Sequence, residues 1–315
     1  MRNKIQKKCY AAILFGFAAV LLYAAAQAQT PTLVTNCGQT LSKPGVYVLN
    51  STLDCSGTHA NGVTITASNV TFHLAGYTLS STDCDKTKDI NGIFVPGGIS
   101  RVRIDSGTVR GFNDGIVLSS SSSRVSGMTV AGACAFGIAV QGDRNQVDTS
   151  SIRSSGLDGI GFQFATHILI AENDIFDNTG FGIGFSENSN NNVIKGNIIS
   201  HNGILTGHAG IGIGSGTDNL VVNNAIRHNF DGIRVEDVGN MVRDNTVTGS
   251  SGVGIYIPGS GSPSTVMHNV VYRSSVADMS DASVGCGANT WRNDAFQTDL
   301  VAAVPDGGPG VGCIQ

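Results

Sequence analysis

Three side chains in the last third of the chain could do proton-transfer chemistry next to a carboxylate. Arg234 and Tyr256 each stand two residues after a glycine of one repeated motif, and Glu236 follows Arg234 by two residues. Arginine is always cationic and neutralises a carboxylate, whereas tyrosine needs a lowered pKa before it accepts a proton. These residue types predict a catalytic group in which Arg234 binds an acidic substituent of the substrate and Tyr256 acts as the base.

A pair of carboxylates supports an alternative reaction. Glu187 and Glu236 would lie two repeats apart, about 9.6 Å if the repeats stack as parallel strands. That separation is at the upper limit for a general acid and a general base on either side of a scissile glycosidic bond. Proton abstraction and hydrolysis therefore both stay open.

A column of possible metal ligands has a simpler explanation. Asp177, His201 and His228 hold the same place in consecutive repeats, and two imidazoles with a carboxylate could bind Zn²⁺ or Cu²⁺. Solvated turn residues of one repeat template would give the same pattern. We therefore predict no metal site and no cofactor. Metal binding by this column is the alternative interpretation.

The elements that would position these groups come from an internal repeat. A glycine followed by Ile or Val and alternating residues recurs at Gly62, Gly92, Gly115, Gly137, Gly159, Gly182, Gly210, Gly232 and Gly254. Most spacings are 22 or 23 residues, and each period holds three short apolar runs. Such runs are too short for a hairpin sheet but can stack into three parallel sheets. The pattern predicts an all-β, single-stranded parallel β-helix of about nine coils, with the right-handed winding that parallel crossovers adopt.

Two columns of residues define the register. The first and third residues after each glycine are apolar in all nine repeats, which predicts one buried face. Asparagines precede an Ile or Val by two residues in five repeats and are expected to hydrogen-bond from coil to coil: Asn173, Asn197, Asn224, Asn245 and Asn269.

The outward face of the first strand contains a run of glycines. Gly161, Gly184 and Gly212 fall at the same outward position of successive coils and predict a flat strip without side chains, a feature of close ligand approach. A solvated sheet that merely tolerates glycine would look the same. Polar residues flank the strip and are predicted to bind substrate: Gln163, Glu187, Asp237 and, on a rim insertion, His208.

The first residues have the pattern of an export signal. A basic head is followed by an apolar run over residues 11–26 and by Ala26-Gln27-Ala28, which predicts cleavage after residue 28. The formal net charge is −4, so nucleic acid and anionic lipid are not expected partners. Six of the seven cysteines follow the signal, and an even number in an oxidising compartment predicts disulfides. The pairing of Cys84 and Cys134 stays open.

The repeats resemble those of a known superfamily. Asn91-Gly92-Ile93, Asp114-Gly115-Ile116 and Asp231-Gly232-Ile233 are similar to parallel β-helix repeats of pectin-lyase-like proteins, and NosD-like periplasmic proteins use a similar unit. The resemblance covers residues 61–275. The flanking segments 29–60 and 276–315 resemble end caps, each closed by its own disulfide, Cys37 with Cys55 and Cys286 with Cys313.

The resemblance implies a function class. Similar β-helix enzymes bind an extended polysaccharide along one exposed sheet, so we predict a secreted or periplasmic, monomeric polysaccharide-binding protein. If it is an enzyme, a lyase or epimerase is favoured over a hydrolase. The alternative is a non-catalytic NosD-like or surface-adhesion module that binds a protein partner or a metal.

Overall fold

The computed structural model is a parallel β-solenoid. It describes residues 30–84, 89–205, 207–258, 263–302, 304–305, 308–309 and 311–315, so the predicted export signal lies outside the described residues. The first eleven strands are β1 (Thr32–Val34), β2 (Gln39–Leu41), β3 (Gly45–Leu49), β4 (Leu53–Asp54), β5 (Val63–Ile65), β6 (Val70–His73), β7 (Thr78–Ser80), β8 (Asn91–Val95), β9 (Arg103–Arg110), β10 (Asp114–Leu118) and β11 (Arg124–Ala131). The next eleven are β12 (Ile138–Asp143), β13 (Gln146–Asp148), β14 (Ser151–Arg153), β15 (Ile160–Thr166), β16 (Leu169–Ala171), β17 (Asp174–Phe176), β18 (Ile183–Ser186), β19 (Val193–Lys195), β20 (Ile198–Ser200), β21 (Ala209–Ile213) and β22 (Leu220–Val222).

The remaining elements complete the solenoid. They are β23 (Ala225–Arg227), β24 (Asp231–Val235), β25 (Met241–Arg243), β26 (Thr246–Thr248), β27 (Val253–Ile257), β28 (Thr265–Met267), β29 (Val270–Tyr272), β30 (Ala277–Asp281), a 3₁₀ turn (Val284–Cys286), β31 (Thr290–Arg292), β32 (Asp299–Val301) and β33 (Val304–Pro305). Within the described ranges, no helix is long and apolar enough to cross a membrane.

The strands form two sheets, and the second of these consists of two ladders that are connected to each other. Over the described residues, the first sheet has 13 strands, in the order β2-β5-β8-β10-β12-β15-β18-β21-β24-β27-β30-β32-β33, of which only the last pair is antiparallel. The second sheet has 20 strands, because the long strands β9 and β11 run through both of its ladders and connect them. The predicted three strands per coil are therefore present, with two of the three ladders merged near one end.

The solenoid has about 11 turns, more than the nine predicted. The difference arises at the ends, where cap segments were expected. β2 pairs in parallel with β5, and β30 pairs in parallel with β27 and β32, so both end segments add strands to the first sheet. Their sequences lack the repeated glycine motif that defined a coil, which is why the count fell short.

The predicted core is confirmed. Every inward residue of the nine repeats is buried, from Val63 and Ile65 to Ile255 and Ile257. Two disulfides close the ends as expected, Cys37–Cys55 and Cys286–Cys313, with Cα atoms 5.6 Å and 6.0 Å apart. Cys84 and Cys134 form the third, with Cα atoms 5.7 Å apart.

The predicted asparagine column is also present, and it ends on an acid. From Asn197 onward, each side-chain oxygen accepts the backbone N–H of the asparagine one coil earlier, as in the 2.9 Å bond from Asn173 to Asn197. At the last step Asn269 donates its backbone N–H and its amide to Asp294 Oδ1, at 2.7 Å and 3.0 Å. Burial raises the pKa of Asp294 from 3.8 to about 6, against the effect of these hydrogen bonds.

Replacing Asp294 by asparagine should stabilise the protein at neutral pH. Asp294 Oδ2 is buried and has no hydrogen-bond partner among the described residues, whereas the amide of Asn269 donates to Val242 O and Met267 O at 3.1 Å. Val266 and Arg292 are paired in register with these two residues, so an amide at position 294 meets equivalent carbonyls. The pKa of Asp294 is raised by about two units, and each unit corresponds to about 1.4 kcal/mol, so we expect Asp294→Asn to add about 3 kcal/mol at pH 7.5.

The pH dependence of this gain is the test. Because the pKa of Asp294 is raised on folding, the group binds its proton more tightly in the folded state. The contribution of Asp294 to folding stability is therefore most favourable below its pKa in the unfolded chain, about 4. This contribution is lost as the pH rises through its pKa in the folded protein, about 6. Urea midpoints of wild type and Asp294→Asn should differ at pH 7.5 and converge near pH 4. An equal difference at both pH values would contradict this account.

Candidate functional site

The three outward glycines of the first sheet are aligned but not bare. Gly161, Gly184 and Gly212 are register partners on β15, β18 and β21, as predicted. All three are buried, so the predicted open strip is wrong. The side chains that cover them come from the coil before.

Each glycine accommodates one side chain of its own chain. The residue preceding the repeated glycine in one coil lies over the outward glycine of the next: Phe136 over Gly161, Asp158 over Gly184 and Phe181 over Gly212. A Cβ on any of the three glycines would lie under 3.0 Å from the covering group. The close approach that glycine indicated is therefore real, but the approaching groups are two phenyl rings and a carboxyl.

These groups line a cleft on the outer face of the first sheet. A cavity of about 100 Å³ lies among Phe136, Asp158 and Phe181, and it also contacts Gly161 and Gly184. A neighbouring groove of about 460 Å³ shares four lining residues with it and extends along the sheet. We call the cavity and groove together the aromatic cleft; the shared residues are Phe136, Ala139, Gln141 and Gln163, and the acids of the groove are Asp89 and Asp114.

Asp158 is the titratable group at the centre of the cavity. The Phe181 N–H donates to Asp158 Oδ1 at 2.8 Å, and the second oxygen, Oδ2, lies over Gly184. Burial raises the pKa of Asp158 from 3.8 to about 6, and the hydrogen bond from Phe181 only partly offsets this effect. A carboxyl with this pKa can be protonated in mildly acidic solution and donate its proton to a bound ligand.

Polar side chains form one wall of the cleft. Ser119 Oγ donates to Gln141 Oε1 at 2.9 Å, and Gln141 Nε2 donates to Gln163 Oε1 at 3.1 Å. The predicted binding residue Gln163 is therefore in the cleft, with its amide oriented by Gln141 of the preceding coil. Within the described part of the chain, its Nε2 has no hydrogen-bond acceptor, which leaves a donor available for a ligand.

His208 stands at the rim of the same region. Its ring centroid lies 4.6 Å from that of Phe181, with the rings nearly perpendicular at 81°. The insertion that carries His208 also exposes Ile204 and Leu205, the latter almost completely at 95%. The rim insertion predicted from the repeat spacing thus lies beside one of the two aromatic rings.

The predicted catalytic group is assembled elsewhere on the sheet. Arg234 and Tyr256 are register partners, and the guanidinium carbon lies 5.8 Å from the tyrosine ring centroid. Arg234 Nε is 2.6 Å from Glu236 Oε1. The three residues are adjacent as predicted, but the arginine charge is compensated by Glu236, so an acidic substrate would have to compete with this ion pair.

The other predicted binding residues are in turns. Glu187 is exposed, with a positive φ of 50°, and its carbonyl accepts a hydrogen bond from the Phe164 N–H. Asp237 accepts the backbone N–H groups of Gly216 and Val238, both at 2.8 Å. Asp237 therefore organises its own turn, and neither residue lines the aromatic cleft.

The histidine column has the predicted stacking. The rings of His201 and His228 are 5.4 Å apart and 26° from parallel. Among the described residues, no group of three or more His, Cys, Asp or Glu side chains converges as a metal site would require.

Phe136, Asp158 and Phe181 were missed from the sequence. The positions two and four residues after each repeated glycine were predicted to face outward. The position directly before the glycine was overlooked, although it carries two phenylalanines and an aspartate in three successive coils. Aromatic residues at a solvent-facing repeat position were the available signal.

Comparisons with known proteins concern the family and the fold. Residues 114–275 match the family described as "Right handed beta helix region". No curated protein sequence matches the chain. Several solved structures do: the A-module of the Azotobacter vinelandii mannuronan C-5 epimerase AlgE6 has a TM-score of 0.62 at 16% identity, covering 88% of this chain and 86% of that one.

Two further structures are similar over most of this chain. The GH136 lacto-N-biosidase from Eubacterium ramulus has a TM-score of 0.63 at 12% identity, covering 86% of this chain and 60% of that one. The Dettilon tailspike protein has a TM-score of 0.52 at 16% identity, covering 81% of this chain but only 54% of its own length. At these identities the likeness is one of fold.

Proposed function

Because the chain belongs to the right-handed β-helix family, we propose that it is an exported protein that binds an extended polysaccharide in the aromatic cleft. The observation that carries the proposal is the pair of phenyl rings, Phe136 and Phe181, on either side of Asp158. Aromatic rings provide rigid apolar surface, and a few fixed polar groups around them orient a ligand. The structural neighbours named as a mannuronan epimerase and a lacto-N-biosidase support a saccharide ligand.

The dimensions of the cleft suit a chain rather than a single small molecule. Phe136 and Phe181 are two coils apart, about 9.6 Å along the solenoid axis. The groove continues from Phe136 past Gln141 and Ser119 toward the first coils, which provides further contacts in the same direction. A polymer lying parallel to the axis would contact ring, carboxyl and amide groups in turn.

The charges favour a neutral polysaccharide over an acidic one. Asp89, Asp114 and Asp158 all line the aromatic cleft, and the Arg234 guanidinium outside it is paired with Glu236. A polyuronate would bring its carboxylates beside these acids. The predicted lyase or epimerase centre at Arg234 and Tyr256 remains the alternative for an acidic polymer, and a non-catalytic module that binds a protein or a metal is the second alternative. Three disulfides support export to an oxidising compartment.

Removing either ring should weaken binding. We expect Phe136→Ala and Phe181→Ala each to lower affinity about tenfold, since loss of one stacked ring costs about 1.4 kcal/mol. Affinity electrophoresis against xylan, mannan, glucan, alginate and polygalacturonate measures this directly. Phe164→Ala is the matched control, because Phe164 is on the same sheet and 62% exposed but does not line the cleft.

The outcomes separate the possibilities. Binding that is lost with Phe136 or Phe181 and kept with Phe164→Ala supports the proposal. Binding that is equally strong in all four proteins would contradict the position of the site. No binding of wild type to any polymer would contradict the function itself, and loss of polyuronate binding in Arg234→Ala would favour the alternative centre.

A further inference from the structure

The side chain directly before the repeated glycine can accept a backbone N–H from the next coil, and asparagine as well as aspartate makes this hydrogen bond. The Phe181 N–H donates to Asp158 Oδ1 at 2.8 Å, and the Val253 N–H donates to Asp231 at 2.7 Å. In the same column the Asn91 N–H donates to Asn61 Oδ1 at 2.8 Å. An amide therefore makes this contact between coils without placing a charge in a buried position. We therefore expect the fold to tolerate an amide in place of the Asp158 carboxyl.

What distinguishes Asp158 is the location of its second oxygen. Oδ2 lies over Gly184, and both Asp158 and Gly184 line the cavity together with the two phenyl rings. Asp231 has the same backbone contact, but it lines neither part of the aromatic cleft. A partly buried carboxyl in a cavity that could hold a ligand is placed to exchange a proton with it.

A second carboxyl faces the same cleft. Asp114 occupies the same column two coils earlier, and the Phe136 N–H donates to its Oδ1 at 2.9 Å. It lines the groove, and Phe136 stands between the two acids in the column. Two coils correspond to about 9.6 Å, near the upper end of the range for inverting glycosidases.

We propose, building on the polysaccharide binding described above, that the aromatic cleft hydrolyses a glycosidic bond, with Asp158 as general acid and Asp114 as general base. Asp158 donates its proton to the glycosidic oxygen as the bond from that oxygen to the anomeric carbon breaks. A water molecule forms the new bond to the anomeric carbon and gives a proton to Asp114. Solvent then removes the proton from Asp114 and returns one to Asp158. The water attacks from the opposite side, so the anomeric configuration is inverted.

The test combines a catalytic and a binding measurement on the same polymers. Release of reducing ends should occur with at least one polymer that binds. Asp158→Asn should lower that rate about a thousandfold, the usual range for a general acid, while affinity stays nearly unchanged and the thermal midpoint does not fall. Asp114→Asn should cause a loss of similar size. The wild-type rate should decline as the pH rises above about 6, where the pKa of Asp158 places its deprotonation.

Asp231→Asn is the matched control, since it removes a carboxyl with the same backbone contact from the same column outside the cleft. Its rate should equal that of wild type. Binding without release of reducing ends would overturn hydrolysis while leaving the binding proposal intact. Hydrolysis that persists in Asp158→Asn, or that falls equally in Asp231→Asn, would overturn the assignment of Asp158. Retention of anomeric configuration, followed by NMR, would overturn the role of Asp114. Absence of both binding and hydrolysis would contradict the underlying function.

Discussion

Replacing Asn224 by leucine is expected to lower the free energy of unfolding by about 4–5 kcal/mol. Asn224 is buried in the middle of the asparagine column, and its Oδ1 accepts the backbone N–H and the amide of Asn197 at 2.9 Å and 3.0 Å. Its own amide donates to Ile194 O and Asn245 Oδ1, both at 3.0 Å, and to Val222 O at 3.1 Å. Leucine would leave several of these groups buried without partners, and each costs about 1–3 kcal/mol.

Urea unfolding followed by circular dichroism measures this effect. Because coils contact only their neighbours, the disrupted coil could unfold separately, and the transition should broaden as well as shift. Asn50→Leu is the control, since Asn50 is exposed and its side chain makes no hydrogen bond within the described residues. We expect that control to stay within about 0.5 kcal/mol of wild type. Equal midpoints for Asn224→Leu and wild type would contradict a stabilising role of the column.

Replacing Gly182 by alanine should cost about 3 kcal/mol. A Cβ on Gly182 would lie 2.6 Å from the Gly210 carbonyl oxygen and 2.7 Å from Ile199 Cγ2. The carbonyl belongs to the backbone of the next coil, so relief of the clash requires the coils to move apart. Overpacking of this kind typically costs about 1–3 kcal/mol in a close-packed core, and here the added atom meets backbone on one side.

The same clash explains why glycine recurs through the whole repeat. From Gly62 to Gly232, each repeated glycine has the carbonyl oxygen of the next one at 3.0 Å or less from its hypothetical Cβ. Gly97→Ala is the matched control, because Gly97 is exposed and the nearest atom to its Cβ would be Ser119 O at 3.9 Å. Thermal midpoints should fall by several degrees for Gly182→Ala and by little for Gly97→Ala. Equal changes in the two variants would contradict this steric explanation.

Much of the fold could be predicted because the repeat constrains every coil in the same way. Alternating apolar residues after each glycine identified the buried face, and one asparagine column set the register. Two further asparagine columns were missed: Asn178, Asn202 and Asn229, and Asn192, Asn219 and Asn240. Each of these residues lies five positions before or after a member of the first column, as in Asn192, Asn197 and Asn202, so a constant spacing was the available signal.

The candidate site was less predictable because its geometry depends on contacts between coils. Sequence spacing aligned Gly161, Gly184 and Gly212 correctly, but it could not show that side chains from the preceding coil cover them. Arg234 and Tyr256 were placed correctly as neighbours, yet the ion pair with Glu236 depends on side-chain conformation. The raised pKa of Asp158 likewise follows from burial beside two rings, which only the assembled coils create.

The decisive measurement is a crystal structure of Asp158→Asn with a bound oligosaccharide, because it locates the ligand relative to the aromatic cleft. The substitution preserves the contact to the Phe181 N–H and should block turnover, so an intact ligand can be observed. We predict a saccharide lying along the solenoid axis, packed on Phe136 and Phe181, with a glycosidic oxygen within hydrogen-bonding distance of side chain 158. A saccharide bound to the second sheet, or at Arg234 and Tyr256 without contact to the aromatic cleft, would contradict the account.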